Sequence, residues 1–191
     1  MKVTKIFSVL AIAVAMFATT VATTSCSSET DESKEINSKE VAKVTQTVNY
    51  RFNANVLKSY DMTMVYTDQA GQEQKIALNE QTMQKTDDMY QFKKEFTFTG
   101  VPQKVKFHVT VTPKAGATAD GTFMSGYCTY SLGTYNAKGF SIITKNLFYN
   151  GLITVRNNNF QEFINALNKD NVIGEHNFTI DTKNGTITDN K

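Results

Sequence analysis

The chain has 191 residues, with 20 Lys plus Arg against 18 Asp plus Glu, and 40% of its residues are hydrophobic. Thirteen Phe and eight Tyr are too many core-forming side chains for a disordered protein, and two Pro with ten Gly exclude a collagen-like chain. Two His and two Cys are too few for a clustered zinc or iron–sulfur site, and the near-neutral charge offers nucleic acid no basic surface. We therefore expect a folded protein with no metal, no cofactor and no nucleic-acid partner.

The N-terminus has the pattern of an export signal. Lys2 and Lys5 precede an apolar run at residues 6–18, which is too short to span a membrane but suits a signal peptide. Small residues at 21–25 then lead into Cys26. This arrangement resembles a bacterial lipoprotein signal, in which the cysteine becomes the first residue of the mature chain and carries the lipid. The resemblance implies a signal peptide at residues 1–25 and lipidation of Cys26.

The alternative is an ordinary secretory peptide cleaved near Ala22, since Thr23 stands where lipoprotein signals usually have Leu. The residues after Cys26 favour the lipoprotein, because the acids Glu29, Asp31 and Glu32 resemble the acidic stretch of Bacteroidota-type surface lipoproteins. That resemblance implies a lipid-anchored protein of the outer membrane or cell surface.

Cleavage would remove two lysines and leave the mature chain neutral. Residues 26–40 are acidic, with Ile36 as the only large apolar side chain, and this composition predicts a flexible tether. Residues 41–191 are long enough for one domain, which at this size buries roughly 70% of its unfolded surface and needs no disulfide or metal to fold.

Lipidation of Cys26 would leave Cys128 without a disulfide partner. Cys128 lies in a segment with strand character, and an unpaired cysteine of an exported protein is usually buried, so we predict a buried, inert thiol. A catalytic thiolate would need a nearby base, for which only His108 and His176 are available.

Alternating apolar and polar residues predict β-strands through the middle of the chain, beginning with one over residues 48–56. A hairpin follows, in which Asp68 pairs with Gln72 around a three-residue loop. This register sets Met64 opposite Ile76 and leaves Gly71 in the left-handed position of the loop.

A second hairpin is predicted from two apolar rows at residues 90–98 and 105–111, joined by a turn at Pro102. The register that matches the rows places Phe96 opposite Phe107 in the core. It also sets Glu95 opposite His108 on the solvent face, as a cross-strand charge pair.

Strands are then predicted over residues 122–132 and 139–144, and Asn150-Gly151 gives a strong signal for a further hairpin turn. The arms of that hairpin are apolar on both faces, which predicts burial beneath a neighbouring element. The element expected there is a helix near residues 158–169, because Phe160, Phe163, Ile164 and Leu167 form one apolar stripe. Asparagines at 157–159 are its candidate N-caps. A final hairpin has Lys183 paired with Thr186 and puts Ile187 on the face of Phe178 and Ile180.

About ten strands and one late helix predict a mainly β fold, a single antiparallel β-sandwich with a helix in its C-terminal half. The strand and turn pattern of residues 60–114 resembles immunoglobulin-like or transthyretin-like sandwich domains of exported lipoproteins of unknown function. The alternative is a lipocalin-like β-barrel, whose meander also has one helix before the last strand. The chain lacks the G-x-W that opens a lipocalin, because it has no Trp.

Motifs of catalysis are missing from the sequence. It has no G-x-S-x-G elbow, no H-E-x-x-H and no phosphate-binding glycine loop. The adjacent acids Asp87 and Asp88 offer too few oxygen ligands for calcium and suit a solvated loop. Asn177 and Asn184 match the glycosylation sequon, which in a bacterial lipoprotein we attribute to chance.

Three functions remain open. A non-catalytic binding or structural module for a glycan, a protein or a pilus-type assembly fits an anchored sandwich without catalytic motifs, and an exposed row of aromatics would support it. A carrier of an apolar ligand would need a cavity lined by Phe92, Phe96 and Phe107. An enzyme, which we do not expect, would need an acid or histidine cluster assembled from distant strands.

Overall fold

The computed structural model describes residues 38–191. The predicted signal peptide at 1–25, Cys26 and most of the predicted tether at 26–40 lie outside the described residues. Within them, the chain forms ten strands and two helices. The strands are β1 (Lys43–Asn53), β2 (Tyr60–Thr67), β3 (Glu73–Ala77), β4 (Gln84–Thr86), β5 (Met89–Thr97), β6 (Lys104–Pro113), β7 (Phe123–Tyr135), β8 (Ser141–Thr154), β9 (Gly174–Ile180) and β10 (Ile187–Asp189). The helices are α1 (Ala54–Ser59) and α2 (Gln161–Lys169).

The strands form two separate antiparallel sheets of five strands each. The first sheet has the order β4-β5-β1-β7-β8 and the second has the order β10-β9-β6-β2-β3. Because no strand joins the two sheets into one closed surface, the predicted sandwich is confirmed and the alternative of a lipocalin-like barrel is wrong.

Aromatic rings fill the space between the sheets. Tyr130 of the first sheet stacks on Phe107 and Phe178 of the second, with ring centroids 4.2 Å and 5.4 Å apart. Tyr50 lies 5.9 Å from Phe107, and its hydroxyl donates a hydrogen bond to the carbonyl of Val172. These rings are almost completely buried, so the alternating apolar positions of the strands do face one common core.

The first predicted hairpin is confirmed in detail. Met64 lies opposite Ile76, and the amide of Asp68 donates to the carbonyl of Gln72 across a three-residue loop. Gly71 has a φ of +80°, the left-handed conformation that this loop requires and that glycine adopts without strain.

The second predicted hairpin is wrong, because its two arms belong to different sheets. β5 pairs with β1 and β4, whereas β6 pairs with β2 and β9. The chain crosses between the sheets after Phe98, whose amide donates to the carbonyl of Val44. Both apolar rows still face the core, but they meet across the sandwich and are not neighbours in one sheet. Alternation reports the face of each side chain and does not distinguish these two arrangements.

The pairings that depended on this hairpin are wrong as well. Phe96 lies opposite Gln46, and Phe107 lies opposite His176 and Tyr66. Glu95 forms a salt bridge at 3.4 Å with Lys93 of its own strand. His108 instead lies opposite Val65 and Glu175.

The predicted turn at Asn150-Gly151 is also wrong, because both residues lie inside β8. The turn between β7 and β8 falls at residues 136–140, where Gly139 has a φ of +85°. Gly151 serves a close approach instead: a Cβ atom there would lie 2.6 Å from the Oη of Tyr149. Glycine at this position lets the Tyr149 ring lie against its own strand.

The first strand is shorter than predicted at its C-terminal end. Alternation holds through Phe52, after which the chain turns into the short helix α1 rather than continuing to Val56. Asn53 caps this helix by accepting a hydrogen bond from the amide of Val56 at 3.2 Å. Val56 is fully buried, as its place in the apolar row predicts, but its backbone is helical and not extended.

The helix predicted near residues 158–169 is confirmed as α2, with Phe163, Ile164 and Leu167 buried. Phe163 packs against Tyr60 at a centroid distance of 5.4 Å and against Tyr149 at 6.3 Å. The helix therefore closes one end of the sandwich and leaves the outer faces of the sheets uncovered.

The asparagines before α2 do not cap it. The N-cap residue is Phe160, which makes no side-chain capping bond. Asn157 and Asn158 have positive φ values, and the Oδ1 of Asn158 accepts from the amide of Ala119 at 2.8 Å. They stabilise the turn that leads into the helix.

The last hairpin keeps the predicted face but not the predicted register. Ile187 lies opposite Ile180, and the amide of Asp181 donates to the carbonyl of Thr186, so the loop has four residues instead of two. The shift moves the pairing by two residues, an even number, and Ile187 therefore stays on the buried side with Phe178.

The N-terminal end of the described chain marks one end of the sandwich, which we call the tether end. Here the amide of Val41 donates to the carbonyl of Thr182, and the amide of Ala42 donates to that of Tyr135. The opposite, helix end contains α1 and α2. No helix within residues 38–191 combines the length and apolarity needed to cross a bilayer.

Candidate functional site

The buried thiol predicted at Cys128 is confirmed. Its side chain is fully buried on the inner face of β7, and burial raises the pKa of the thiol well above its ordinary value. A nucleophilic cysteine needs the opposite shift, together with a base in hydrogen-bond contact. The histidines bond elsewhere: His108 pairs with the hydroxyl of Thr110 at 3.3 Å, and His176 with Asp189.

His176 and Asp189 form a buried pair that the sequence analysis missed. The Nδ1 of His176 lies 2.7 Å from a carboxylate oxygen of Asp189, and its Nε2 lies 2.9 Å from the carbonyl of Asn171. The His176 ring stacks between Phe107 and Phe178, and both side chains of the pair are almost inaccessible to water. The pair thus ties the C-terminal strand to the core and has no open side for a substrate.

A signal for this pair was present in the sequence. Asp189 follows Ile187 by two residues, and His176 precedes Phe178 by two, so both polar side chains occupy core-facing positions of paired strands. Two ionisable residues at inward positions of one hairpin predict a buried pair.

The remaining polar candidates lie at the surface. Asp87 and Asp88 form the exposed turn before β5, where Asp87 has a φ of +54°. Asn184 accepts from the amide of Thr186 in the β9–β10 loop, and Asn177 donates to Glu175 on β9. Nowhere in residues 38–191 do three or more His, Cys, Asp or Glu side chains come together as metal ligands.

The outer face of β7 and β8 carries the most exposed apolar side chains of the sandwich. Phe123, Phe148 and Leu152 are 55%, 53% and 63% exposed, and Tyr127 is half-buried beside them. The Tyr127 and Phe148 rings meet edge to face, with centroids 5.7 Å apart. We call these four residues the apolar strip. Grouped exposed apolar residues mark interaction surfaces, whereas single ones are ordinary.

The register of β7 and β8 makes the strip continuous. On β8, Leu152 lies two residues from the residue that pairs with Phe123 and two residues from the residue that pairs with Tyr127. Phe148 lies two residues on the other side of the residue that pairs with Tyr127. Such diagonal neighbours on one face lie about 7–8 Å apart, within reach of aromatic side chains. The strip therefore zigzags along six residues of strand, about 20 Å, from the helix end toward the middle of the sheet.

Uncharged hydrogen-bonding side chains surround the strip on the same outer face. The Nε2 of Gln91 donates to the Oδ1 of Asn49 at 2.8 Å, so part of this network is already ordered. The uncharged polar side chains at outward positions of β1, β7 and β8 near the strip are Thr47, Asn49, Ser125, Thr129, Ser131, Asn146 and Asn150. The face thus combines apolar rings with amides and hydroxyls.

The apolar residues on both faces of β8 are predicted from the sequence to be buried. The inward residues Leu147 and Tyr149 are buried, as expected. The outward residues Phe148 and Leu152 are exposed, because α2 packs at the end of the sandwich and does not cover β8. The predicted burial of the outward face of β8 assumes that α2 covers it, and only the fold shows where α2 lies.

A groove of about 430 Å³ lies on the other sheet, beside β3, β6 and β9. One of its two cations, Lys106, is held at 3.1 Å by Glu73, and its Asn190 donates to the hydroxyl of Thr179 at 2.7 Å. The other cation, Lys104, is exposed, and the groove has no exposed aromatic ring on which a ligand could stack.

Comparisons of the chain with protein-family models, with curated proteins and with solved structures found no match.

Proposed function

We propose that this protein is a lipoprotein of the outer membrane or cell surface, anchored through Cys26, whose sandwich is a non-catalytic module that binds a glycan. The observation that carries the proposal is the apolar strip, the exposed row of aromatics expected of a binding module. The N-terminal sequence, which resembles a bacterial lipoprotein signal, supports the anchor.

The chemistry of the strip suits a sugar chain. A pyranose ring has an apolar face of C–H groups and an edge of hydroxyls, so it stacks on an aromatic ring while its edge forms hydrogen bonds. Aromatic rings attract C–H groups because their faces carry partial negative charge. The strip supplies Phe148 and Tyr127 for stacking, and Asn150 and Thr129 lie beside them for the hydroxyls. Its length of about 20 Å fits an extended chain of several sugars.

The position of the strip suits an anchored protein. The described chain begins at the tether end, whereas Tyr127 lies eight residues of strand, about 26 Å, beyond Tyr135 at that end. A lipid on Cys26 would therefore be attached at the end of the sandwich that is farther from the strip.

The alternatives have less support. The Phe92 and Phe107 rings, which a carrier would use to line a cavity, pack at 6.0 Å on Tyr66 and at 4.2 Å on Tyr130. An enzyme would need reactive side chains that a substrate can reach, but the thiol of Cys128 and the His176 pair lie in the core. A pilus-type assembly is favoured by one feature, the open edge of the 14-residue strand β8.

We expect Tyr127→Ala or Phe148→Ala to weaken glycan binding at least tenfold, because each removes a stacking ring. Affinity of the purified full chain would be measured by calorimetry on neutral and acidic polysaccharides. Phe140→Ala is the matched control, because Phe140 is 51% exposed but lies in the β7–β8 turn at the tether end, outside the strip. Equal loss in Phe140→Ala, or no binding by the wild type, would contradict the proposal. A wild-type dimer that the strip variants dissociate would identify an assembly interface instead.

We expect labelling of cells with a clickable fatty acid to tag the wild-type protein and not Cys26→Ala, because only that thiol would receive the lipid. Cys128→Ala provides the matched control and should be tagged as strongly as the wild type. Equal tagging of Cys26→Ala would refute the lipid anchor while leaving the binding surface untouched.

A further inference from the structure

The outer face of the first sheet carries more positive than negative charge around the apolar strip. Outward positions of β1, β5, β7 and β8 hold three cations, Lys43, Arg51 and Lys93, and one carboxylate, Glu95. Glu95 is engaged by Lys93 at 3.4 Å, and Lys43 lies over the Tyr135 ring at 4.7 Å, near the tether end. Arg51 is left as the cation nearest the strip.

Arg51 lies on β1, the central strand of this sheet, near its helix end. It lies directly opposite Tyr127 of the strip on one side and Gln91 on the other. Asn150 continues the same row beyond Tyr127. The backbones of Arg51 and Tyr127 therefore lie one strand spacing, about 4.7–4.9 Å, apart, with both side chains on the outer face.

The guanidinium of Arg51 is unpaired among the described residues. It takes part in no salt bridge, hydrogen bond or ring contact there, and its Nε is buried without a partner. Buried polar groups are nearly always hydrogen-bonded, so the unpartnered Nε of Arg51 needs an explanation. Its flat fork of N–H donors matches the two oxygens of a carboxylate or the oxygens of a sulfate.

We infer that the ligand of this face is an acidic glycan, with Arg51 bound to the carboxylate or sulfate of a sugar whose neighbour stacks on Tyr127. This inference rests on the proposed function and specifies its ligand class. The positive charge of Arg51 favours acidic sugar chains over neutral ones. The apolar strip stacks on the sugar rings of both kinds of chain.

The test compares acidic polymers with their neutralised counterparts: polygalacturonate with its carboxyl-reduced form, and chondroitin sulfate with its desulfated, carboxyl-reduced form. We expect the purified full chain to bind at least one acidic polymer tenfold or more tightly than its counterpart, with an affinity that falls as salt rises. Arg51→Gln should abolish both the preference and the salt dependence, and Arg51→Lys should restore only part of the preference, because lysine lacks the planar fork.

Arg156→Gln is the matched control, because Arg156 is the chain's other arginine and is exposed beyond the end of β8. It should bind as the wild type does. Equal binding of acidic and neutral polymers, or a preference that survives Arg51→Gln, would overturn the acidic ligand while Tyr127→Ala still reports on glycan binding. Failure to bind any polymer would overturn the inference and the proposed function together.

Discussion

Phe107→Ala should lower the free energy of unfolding by about 3–5 kcal/mol. Phe107 is fully buried at the centre of the sandwich, stacked 4.2 Å from Tyr130 and 5.9 Å from Tyr50. Removing the ring loses its transfer free energy and leaves a cavity that neighbouring rings cannot fill without leaving their rotamers. Denaturant unfolding would measure the change, which is a large share of a typical total of about 5–15 kcal/mol.

Phe148→Ala is the control for this prediction, because the same substitution removes a ring that is 53% exposed. It should cost less than about 1 kcal/mol. Similar losses in the two variants would mean that the Phe107 ring is not in a packed core.

Double-mutant cycles would test the topology, using leucine so that the double variants stay folded. Phe107→Leu and Tyr130→Leu should couple by about 0.5–1.5 kcal/mol, because their rings stack across the sandwich. Phe107→Leu and Phe96→Leu should be additive, since β5 and β6 lie in different sheets and no ring contact joins the two. Coupling of Phe96 with Phe107 would instead support the hairpin that the sequence alone predicts.

Asp189→Ala should destabilise the protein by about 3 kcal/mol, because it leaves the Nδ1 of His176 without its partner in a buried site. Breaking a buried ion pair from one side costs about 3–5 kcal/mol. We expect the lower end of this range, because Asp189 is 11% exposed and lies in the three-residue strand β10 at the edge of its sheet. Chemical unfolding and hydrogen exchange of β9 would measure the global and local losses.

Asp61→Ala is the matched control for the buried pair. Asp61 is 73% exposed and lies 4.0 Å from Lys114, so its removal should cost less than about 1 kcal/mol. His176→Ala should resemble Asp189→Ala, and the double variant should cost much less than the sum of the two. Additive effects would mean that the two side chains act independently in stabilising β10.

The confirmed predictions are those whose information lies within a few neighbouring residues. The Asp68–Gln72 loop is determined by glycine at the left-handed position and by the match of Met64 with Ile76. The stripe of α2 is determined by the 3.6-residue period. Burial of Cys128 follows from alternation along β7.

The wrong predictions concern how distant segments meet. Asn150-Gly151 is a strong local turn signal, but thirteen residues of pairing with β7 outweigh it, and Gly151 makes room for Tyr149 instead. The candidate site also depends on how distant segments meet, because Phe148 is exposed only if no other element covers β8.

A mainly β fold with one amphipathic helix, and the apolar face of each strand, can be predicted from the sequence. The reason is that side-chain direction repeats with a period of two along a strand and 3.6 along a helix, regardless of the partner element. Only the folded structure shows that β5 and β6 belong to different sheets and that the strip stays uncovered with Arg51 beside it. Strand pairing and coverage depend on contacts between residues far apart in the chain, and a period of two is compatible with several such pairings.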